Sequence, residues 1–317
     1  MDLFIITFEA VFILIGIGLL GFLILLRRLL PGDVLPVLTP LVIDIAIPCL
    51  VFSSIMKSFN PSNSPGWYLI PLWWGGFTAV AFCLTMILSY SVEKRFRGEF
   101  RVALLYHNAI FIPLGIITGI HGTDSSLLAD LFLFTIFHPA FFFNTNHLFF
   151  KKTTDGAHFS FQWRMLLNPI LLASILSLSL KLSGASLLVP EVLIRITSIV
   201  AATALPLVML IIGGSIYLDL QNRESFRIRE SVLFVMSKNL IFPVVFLGII
   251  YLMRPSHNIA FLLIMAAAAP PITAVPIVTE KAGGNRGIAN QMMLSSFLAS
   301  MFSLPLVLWV FSLLFPQ

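Results

Sequence analysis

The chain has 317 residues, of which 58% are hydrophobic and only 10% are charged. This composition, with a mean hydropathy of +1.00, excludes a soluble globular domain and is typical of a chain that crosses a membrane several times. The formal net charge of +5 does not require a nucleic-acid partner, because the placement of the basic residues between membrane spans accounts for it.

Long apolar segments separated by short polar breaks occupy most of the sequence. A helix that crosses a hydrocarbon core of about 30 Å needs about 20 predominantly apolar residues, and these segments do not alternate as transmembrane strands would. The first segment has no basic residue before it and no small-residue cleavage pattern after it, so we predict a retained helix rather than a signal peptide. The sequence predicts an all-α membrane protein with ten transmembrane helices, spans one to ten, at residues 3–26, 35–56, 67–92, 101–121, 127–150, 165–183, 191–218, 230–253, 258–280 and 287–315.

Lysine and arginine residues cluster at one end of the predicted spans. If the N-terminus lies outside, fourteen of them fall on the cytoplasmic side. The four that fall outside are Lys57, Lys181, Arg195 and Arg254. Because cytoplasmic loops carry the excess of positive charge, both termini are predicted to lie outside.

Two proline positions repeat at half the chain length. Pro48 and Pro206 lie 158 residues apart, in the second span of each half, and Pro113 and Pro271 share that spacing in the fourth span of each half. An odd number of spans in each half places the two halves in opposite orientations, which is a common plan of secondary transporters. The sequence predicts a 5+5 inverted repeat. Its two units are residues 1–158 and 159–317.

Span nine contains three prolines in the stretch AAAAPPITAVP, residues 266–276. Proline lacks a backbone N–H and clashes with the carbonyl four residues earlier, so it interrupts a helix. The prolines are Pro270, Pro271 and Pro276, and the carbonyls that they are predicted to free belong to Ala266, Ala267 and Ile272. Span nine is therefore predicted to be broken near its middle.

Span four is predicted to carry the matching break, where Pro113 would free the carbonyl of Ala109. A backbone group without a partner costs several kcal/mol in hydrocarbon, so the two broken helices are predicted to cross at mid-membrane and line a cavity. Helix N-termini at such a crossover suit a carboxylate, and free carbonyls suit a cation. The sequence predicts a small organic anion as the ligand, with Thr273 of the second break among its contacts.

Three stretches of the chain resemble the auxin efflux carriers and their bacterial relatives. Residues 270–285, PPITAVPIVTEKAGGN, and residues 295–306, SSFLASMFSLPL, look like the ninth and tenth helices of that family. Residues 47–55, IPCLVFSSI, are similar to its proline-bearing second helix. The resemblance extends over almost the whole chain in length and layout.

This resemblance implies a fold divided into a scaffold domain and a transport domain, the latter holding the crossed helices, with relatedness in fold to the sodium-coupled bile acid symporters. It implies transport of an organic anion, either an auxin-like acid or a dicarboxylate such as malate or malonate, in the bacterial inner membrane. In plant members an asparagine before the fourth-helix break contacts the substrate carboxylate, and Asn108 is the matching residue here.

Several further polar residues fall inside the predicted spans. Asp44 lies near the middle of span two, where an ionisable residue is a candidate site for a proton or a cation. Lys238 in span eight is a candidate partner for an anion or for Asp44. His107 is a candidate titrating group beside the break, and Ser53 is a candidate donor to a carboxylate, although a bond to its own helix is the competing interpretation.

Enzyme motifs are absent from the sequence, and the two cysteines, Cys49 and Cys83, show no spacing for a disulfide or a metal site. A transporter working by alternating access is the favoured interpretation, without a cofactor. Coupling to Na⁺ or H⁺ and formation of a homodimer are left open. The competing hypotheses are a sodium-coupled symporter of an amphipathic anion and a membrane sensor that does not transport.

Overall fold

The computed structural model of the chain describes residues 2–62, 66–122, 125–150, 168–221 and 227–316. The predicted loop at 151–164, the predicted repeat boundary at 158/159 and the first residues of span six lie outside the described residues. Within the described ranges every regular element is a helix. Seven helices there are long and apolar enough to cross a membrane, and three shorter apolar helices accompany them.

The helices follow the predicted spans closely, and their ends differ by a few residues. Spans four, seven and nine are each divided into two helices, and span five is interrupted at residues 135–137, within the segment labelled α6 below. The helices are α1 Asp2–Leu26, α2 Val34–Ser58, α3 Trp67–Ser91, α4 Arg97–Leu105, α5 Phe111–His121, α6 Ser126–Phe149, α7 Pro169–Leu182, α8 Glu191–Ala202, α9 Ala204–Gln221, α10 Ile228–Met253, α11 His257–Ala268, α12 Val275–Lys281 and α13 Arg286–Leu314.

The interruption of span four does not lie at Pro113, as the sequence suggested, but before it, at residues 106–110. Pro113 is the third residue of α5. The first turn of a helix has no intrahelical partners for its N–H groups, so a proline there costs no hydrogen bond. Ala109, whose carbonyl Pro113 was expected to free, therefore lies inside the interruption rather than in a helix.

Two helices contain a π-helical turn, one at Leu41–Ala46 within α2 and one at Met236–Ile241 within α10. A π turn holds one more residue than an α-helical turn and is often found at functional sites. Asp44 belongs to the first π turn and Lys238 to the second.

The centre of the bundle is occupied by α11, which is buried from Ile259 to Ala268, and by the first half of α6, which is buried from Leu127 to Phe134. α10 and α13 both pack against α11. Large apolar side chains such as Leu72 remain exposed on the outside of the bundle, as expected of a surface that faces lipid.

Glycines allow α1 and α9 to approach one another at backbone distance. A Cβ atom on Gly213 would collide with the carbonyl of Gly18, and a Cβ on Gly21 would collide with the backbone of Leu210. Small residues at helix contacts are a frequent source of stability in membrane proteins, because they let two backbones make close van der Waals contact. α1 and α9 therefore form a closely packed pair.

Replacing Gly21 with Ala is expected to lower the free energy of unfolding by about 1–3 kcal/mol, because the new methyl group collides with main-chain atoms that have no room to move. The matched control is Gly16→Ala on the same helix, where the added methyl group meets open space. Thermal unfolding in detergent would measure both variants. Equal melting temperatures for the two would contradict the close contact.

Candidate functional site

Residues 106–110, between α4 and α5, and residues 269–274, between α11 and α12, lie side by side, and we call them together the paired break. His107 and Pro271 form an isolated antiparallel bridge. The N–H of Asn108 donates to the carbonyl of Pro270 at 2.7 Å, and the N–H of Ile272 donates to the carbonyl of Tyr106 at 3.0 Å. Each interruption thus supplies backbone partners that the other lacks, and this keeps non-helical backbone stable within the apolar bundle.

Asn108 fixes the start of α5. Its side-chain oxygen accepts a hydrogen bond from the N–H of Phe111 at 3.0 Å, in the manner of an N-cap. Because the oxygen is used in this way, the amide nitrogen is directed elsewhere. The Asn108 side chain is buried, and its Nδ2 atom has no hydrogen-bond partner among the described residues. A buried donor of this kind is a site for an acceptor on a ligand.

Two of the carbonyls that the sequence predicted to be free, those of Ile272 and Ala267, have partners of different kinds. Ile272 accepts a bond from the N–H of Val275 at 3.0 Å, which closes a turn before α12. Ala267 accepts a bond from the Nζ atom of Lys238 at 3.0 Å. A charged side chain therefore takes the place of the backbone donor that Pro271 cannot provide.

A cavity of about 200 Å³ lies against the front of the paired break. Its polar side chains are those of Thr39, Asn108, His138, Ser215 and Thr273. No lysine, arginine, aspartate or glutamate of the described residues lines it. The apolar wall comes mainly from α2, α6 and α9 and includes Val42, Ile43, Ile47, Phe111, Phe142, Phe143, Val208, Ile211 and Ile212.

Two histidines adjoin the cavity. The His138 side chain is buried and lines it, and its Nε2 atom has no partner within the described ranges. The His107 ring is not among the residues that line the cavity, and its centroid is 5.0 Å from that of His138 and 4.9 Å from that of Phe77. Two residues that line the cavity, Asn108 and His138, thus each carry a buried polar atom without a partner among the described residues.

The predicted binding residues divide into three groups. Asn108, Ala109 and Thr273 line the cavity. Pro270 and Pro271 belong to the paired break behind it, whereas Pro113 and Pro276 lie in the first turns of α5 and α12. Ser53 is buried in α2, where its hydroxyl donates to the carbonyl of Leu50 at 3.2 Å, and it is not among the residues that line the cavity.

The charge candidates also lie apart from the cavity. The side chain of Asp44 is exposed on the outside of α2, while Lys238 is completely buried and bonds to Ala267. These two residues are therefore not the ion pair that the sequence left open. Thr39 and Ser215 line the cavity but were missed, because a single hydroxyl residue in an apolar span carries no pattern that distinguishes it from a packing residue.

The chain matches a family model in a comparison with known protein families. The family model described as membrane transport protein matches residues 6–151 and 157–308, which is nearly the whole chain. No curated protein matches the chain.

Accessibility of the cavity can be measured with cysteine variants, after Cys49 and Cys83 are replaced with Ser. A small water-soluble thiol reagent is expected to modify Thr273→Cys faster than Ser53→Cys, since Thr273 lines the cavity and Ser53 is buried in its helix. Mass spectrometry of the intact protein over time gives both rates. A faster reaction at position 53 would show that the cavity opens elsewhere.

Proposed function

The chain belongs to the membrane transport protein family, that of the auxin efflux carriers, and we propose that it carries a small organic anion across the membrane by alternating access. The observation that supports this most directly is Asn108, which lines a cavity at the start of α5 and whose buried Nδ2 atom has no partner in the described residues. The N-terminus of α5 adds the positive end of a helix dipole. Both features favour a carboxylate.

The lining of the cavity narrows the class of anion. Its polar groups are few and its walls are largely Ile, Val and Phe, so the favoured substrate has an apolar body and a single acidic group. A compact dicarboxylate would place its second charge against apolar walls, and burial of an unpaired charge is costly. The cavity, at about 200 Å³, is smaller than the roughly 300–1,000 Å³ typical of drug-sized ligands. An aromatic or branched monocarboxylate fits these requirements.

The position of the cavity suits alternating access. On one side it is bounded by α2, α7 and α9, and on the other by α6 and the paired break. α2 packs against α7 and α8, and α9 packs closely against α1. We propose that these helices form a scaffold, and that the paired break is the crossover of a 5+5 inverted repeat which moves against it.

The proposed orientation follows the distribution of basic residues. Both termini face outwards and the loops rich in lysine and arginine face the cytoplasm. The resemblance to bacterial carriers supports placement in a bacterial inner membrane.

Reconstitution into liposomes tests the function and the substrate class together. We expect saturable flux of phenylacetate or indole acetate, and little flux of malonate, malate or the neutral amide of the same aromatic acid. The amide is the matched control, because it keeps the apolar body and lacks the charge. If none of the acids shows saturable flux, the transport proposal is contradicted. Tight binding of an acid without flux would indicate a sensor.

Asn108 variants test how the anion is held. Asn108→Asp keeps an oxygen to cap α5 but replaces the free N–H donor with a negative charge, so we expect its KM to rise about tenfold or more. Asn108→Ala also loses the cap, which is expected to cost about 1 kcal/mol of stability. Ser53→Ala is the control, since the hydroxyl of Ser53 donates to Leu50 of its own helix and has no other partner among the described residues. A normal KM for Asn108→Asp would place the binding site elsewhere.

A further inference from the structure

A second cavity, of about 530 Å³, lies between α3, α4 and α6, and we call it the lateral cavity. Phe82 and Met86 of α3, Arg101 of α4 and Phe149 of α6 line it, and the buried Tyr106 forms its inner wall. It shares no lining residue with the cavity at the paired break. The lateral cavity is therefore a separate site, which the proposed transport function does not use.

The lateral cavity reaches the outside of the bundle, where the protein faces lipid. Two of its lining residues are apolar and exposed, Phe82 at 44% and Leu148 at 56%. The ring of Phe149 lies between those of Phe82 and Tyr106, with centroids 6.4 Å and 6.2 Å away. An aromatic wall thus extends from the exposed rim to the buried interior. Such a wall suits a hydrocarbon chain rather than a water-soluble molecule.

Three polar side chains line the lateral cavity, and only one of them has donors left for a ligand. The hydroxyls of Tyr106 and Thr145 are 2.6 Å apart, and that of Thr145 also donates to the carbonyl of Phe141. The third is Arg101, whose guanidinium has five N–H donors. Its Nε atom donates to the hydroxyl of Ser89 at 2.9 Å, and its two Nη atoms have no acceptor among the described residues.

Arg101 lies in a positively charged segment. From Glu93 to Arg101 there are four basic residues and two acidic ones. Both acids have other partners: Glu93 accepts a bond from Arg95 at 2.7 Å, and Glu99 accepts the N–H of Asn285 at 2.7 Å. In the part of the chain that the structure describes, Arg101 therefore has no carboxylate partner. Its charge is available to an anion from outside the protein.

Stabilisation of the end of α3 does not account for an arginine at position 101. Arg97 already bonds to that end, where it donates to the carbonyls of Val92 at 3.4 Å and Tyr90 at 3.5 Å and lies 4.9 Å from the centre of the Tyr90 ring. The bond of Arg101 to Ser89 needs one donor and no positive charge. The planar guanidinium has the geometry that binds two oxygens of one phosphate group.

Arg101 lies at the depth where phospholipid headgroups are found, because its partner Ser89 is in the last turn of α3, which ends at Ser91. Basic pockets between transmembrane helices on the cytoplasmic side are known to bind anionic headgroups, and the orientation proposed above places this end of α3 there. The aromatic wall of the lateral cavity adds a surface for a hydrocarbon chain. A cation and an apolar wall in one cavity match the two parts of a phospholipid.

We propose that the lateral cavity binds one anionic phospholipid, whose phosphate accepts hydrogen bonds from the Nη atoms of Arg101 and whose acyl chain packs against Phe82 and Phe149. The bound lipid also contacts Tyr106, whose carbonyl accepts the N–H of Ile272 in the paired break. Binding to the native state raises the melting temperature. This proposal does not depend on which substrate the protein carries.

The first arm of the test measures lipid retention by native mass spectrometry of the full chain in detergent. Phosphatidylglycerol and phosphatidylcholine with identical acyl chains are compared, and we expect one phosphatidylglycerol to be retained preferentially. Arg101→Gln is expected to weaken its binding about tenfold or more, because the charge-assisted bonds to the phosphate are lost. Arg95→Gln is the matched control, since it removes one charge from the same segment but Arg95 is exposed and does not line the lateral cavity.

The melting temperatures of the same variants are measured with both lipids and with glycerol phosphate. Phosphatidylglycerol is expected to stabilise the wild type and Arg95→Gln more than Arg101→Gln. Equal retention of the two lipids by the wild type, or equal binding of phosphatidylglycerol by the wild type and Arg101→Gln, would overturn the proposal. Stabilisation by glycerol phosphate that depends on Arg101 would also overturn it, because the site would then bind a soluble anion.

The second arm uses the wild-type protein alone, so it remains valid if Arg101→Gln does not fold. Phosphatidylglycerol with a photoactivatable group in its acyl chain is crosslinked to the protein, and the modified peptides are identified by mass spectrometry. We expect labelling of the peptides that contain Phe82 and Phe149, which excess phosphatidylglycerol prevents and phosphatidylcholine does not. Labelling confined to other helices, or spread evenly over the lipid-facing surface, would overturn the proposal.

Discussion

The structure depends on the backbone pairing between two interrupted helices. Inside an apolar bundle each unpaired N–H or carbonyl is costly, and interrupting a single helix leaves several such groups. Here the two interruptions satisfy one another through Asn108, Pro270, Ile272 and Tyr106, and the side chains of Asn108 and Lys238 satisfy two of the remaining groups. Non-helical backbone can therefore persist where a ligand is able to approach it.

Two different sets of groups contact the paired break. In front are the Asn108 amide, the start of α5 and an apolar cavity, which together suit the acidic end of an amphipathic molecule. The buried side chain of Lys238 in α10 donates to the carbonyl of Ala267, shortly before the second interruption.

Much of the fold could be predicted from the sequence, because long apolar segments and prolines are local signals. The positions of the spans and the interruption of span nine between Ala266 and Pro276 follow from such signals. The interruption of span four does not, since it depends on the cap that Asn108 provides and on pairing with a segment over 160 residues away. The sequence also did not predict the burial of the polar residues: Asp44 is exposed and Lys238 is buried, although both lie in the middle of apolar helices.

The π turn in α10 affects how this helix tolerates insertion or deletion of a residue. Its extra residue shifts the angular register of everything that follows by roughly 100°, the rotation that one residue makes around a helix axis. Lys238 can then face α11 while Phe242, Phe246 and Ile250, all buried, still face the interior one to three turns later. A one-residue insertion or deletion at this turn would therefore rotate the part of α10 after the turn by about 100° relative to the part before it.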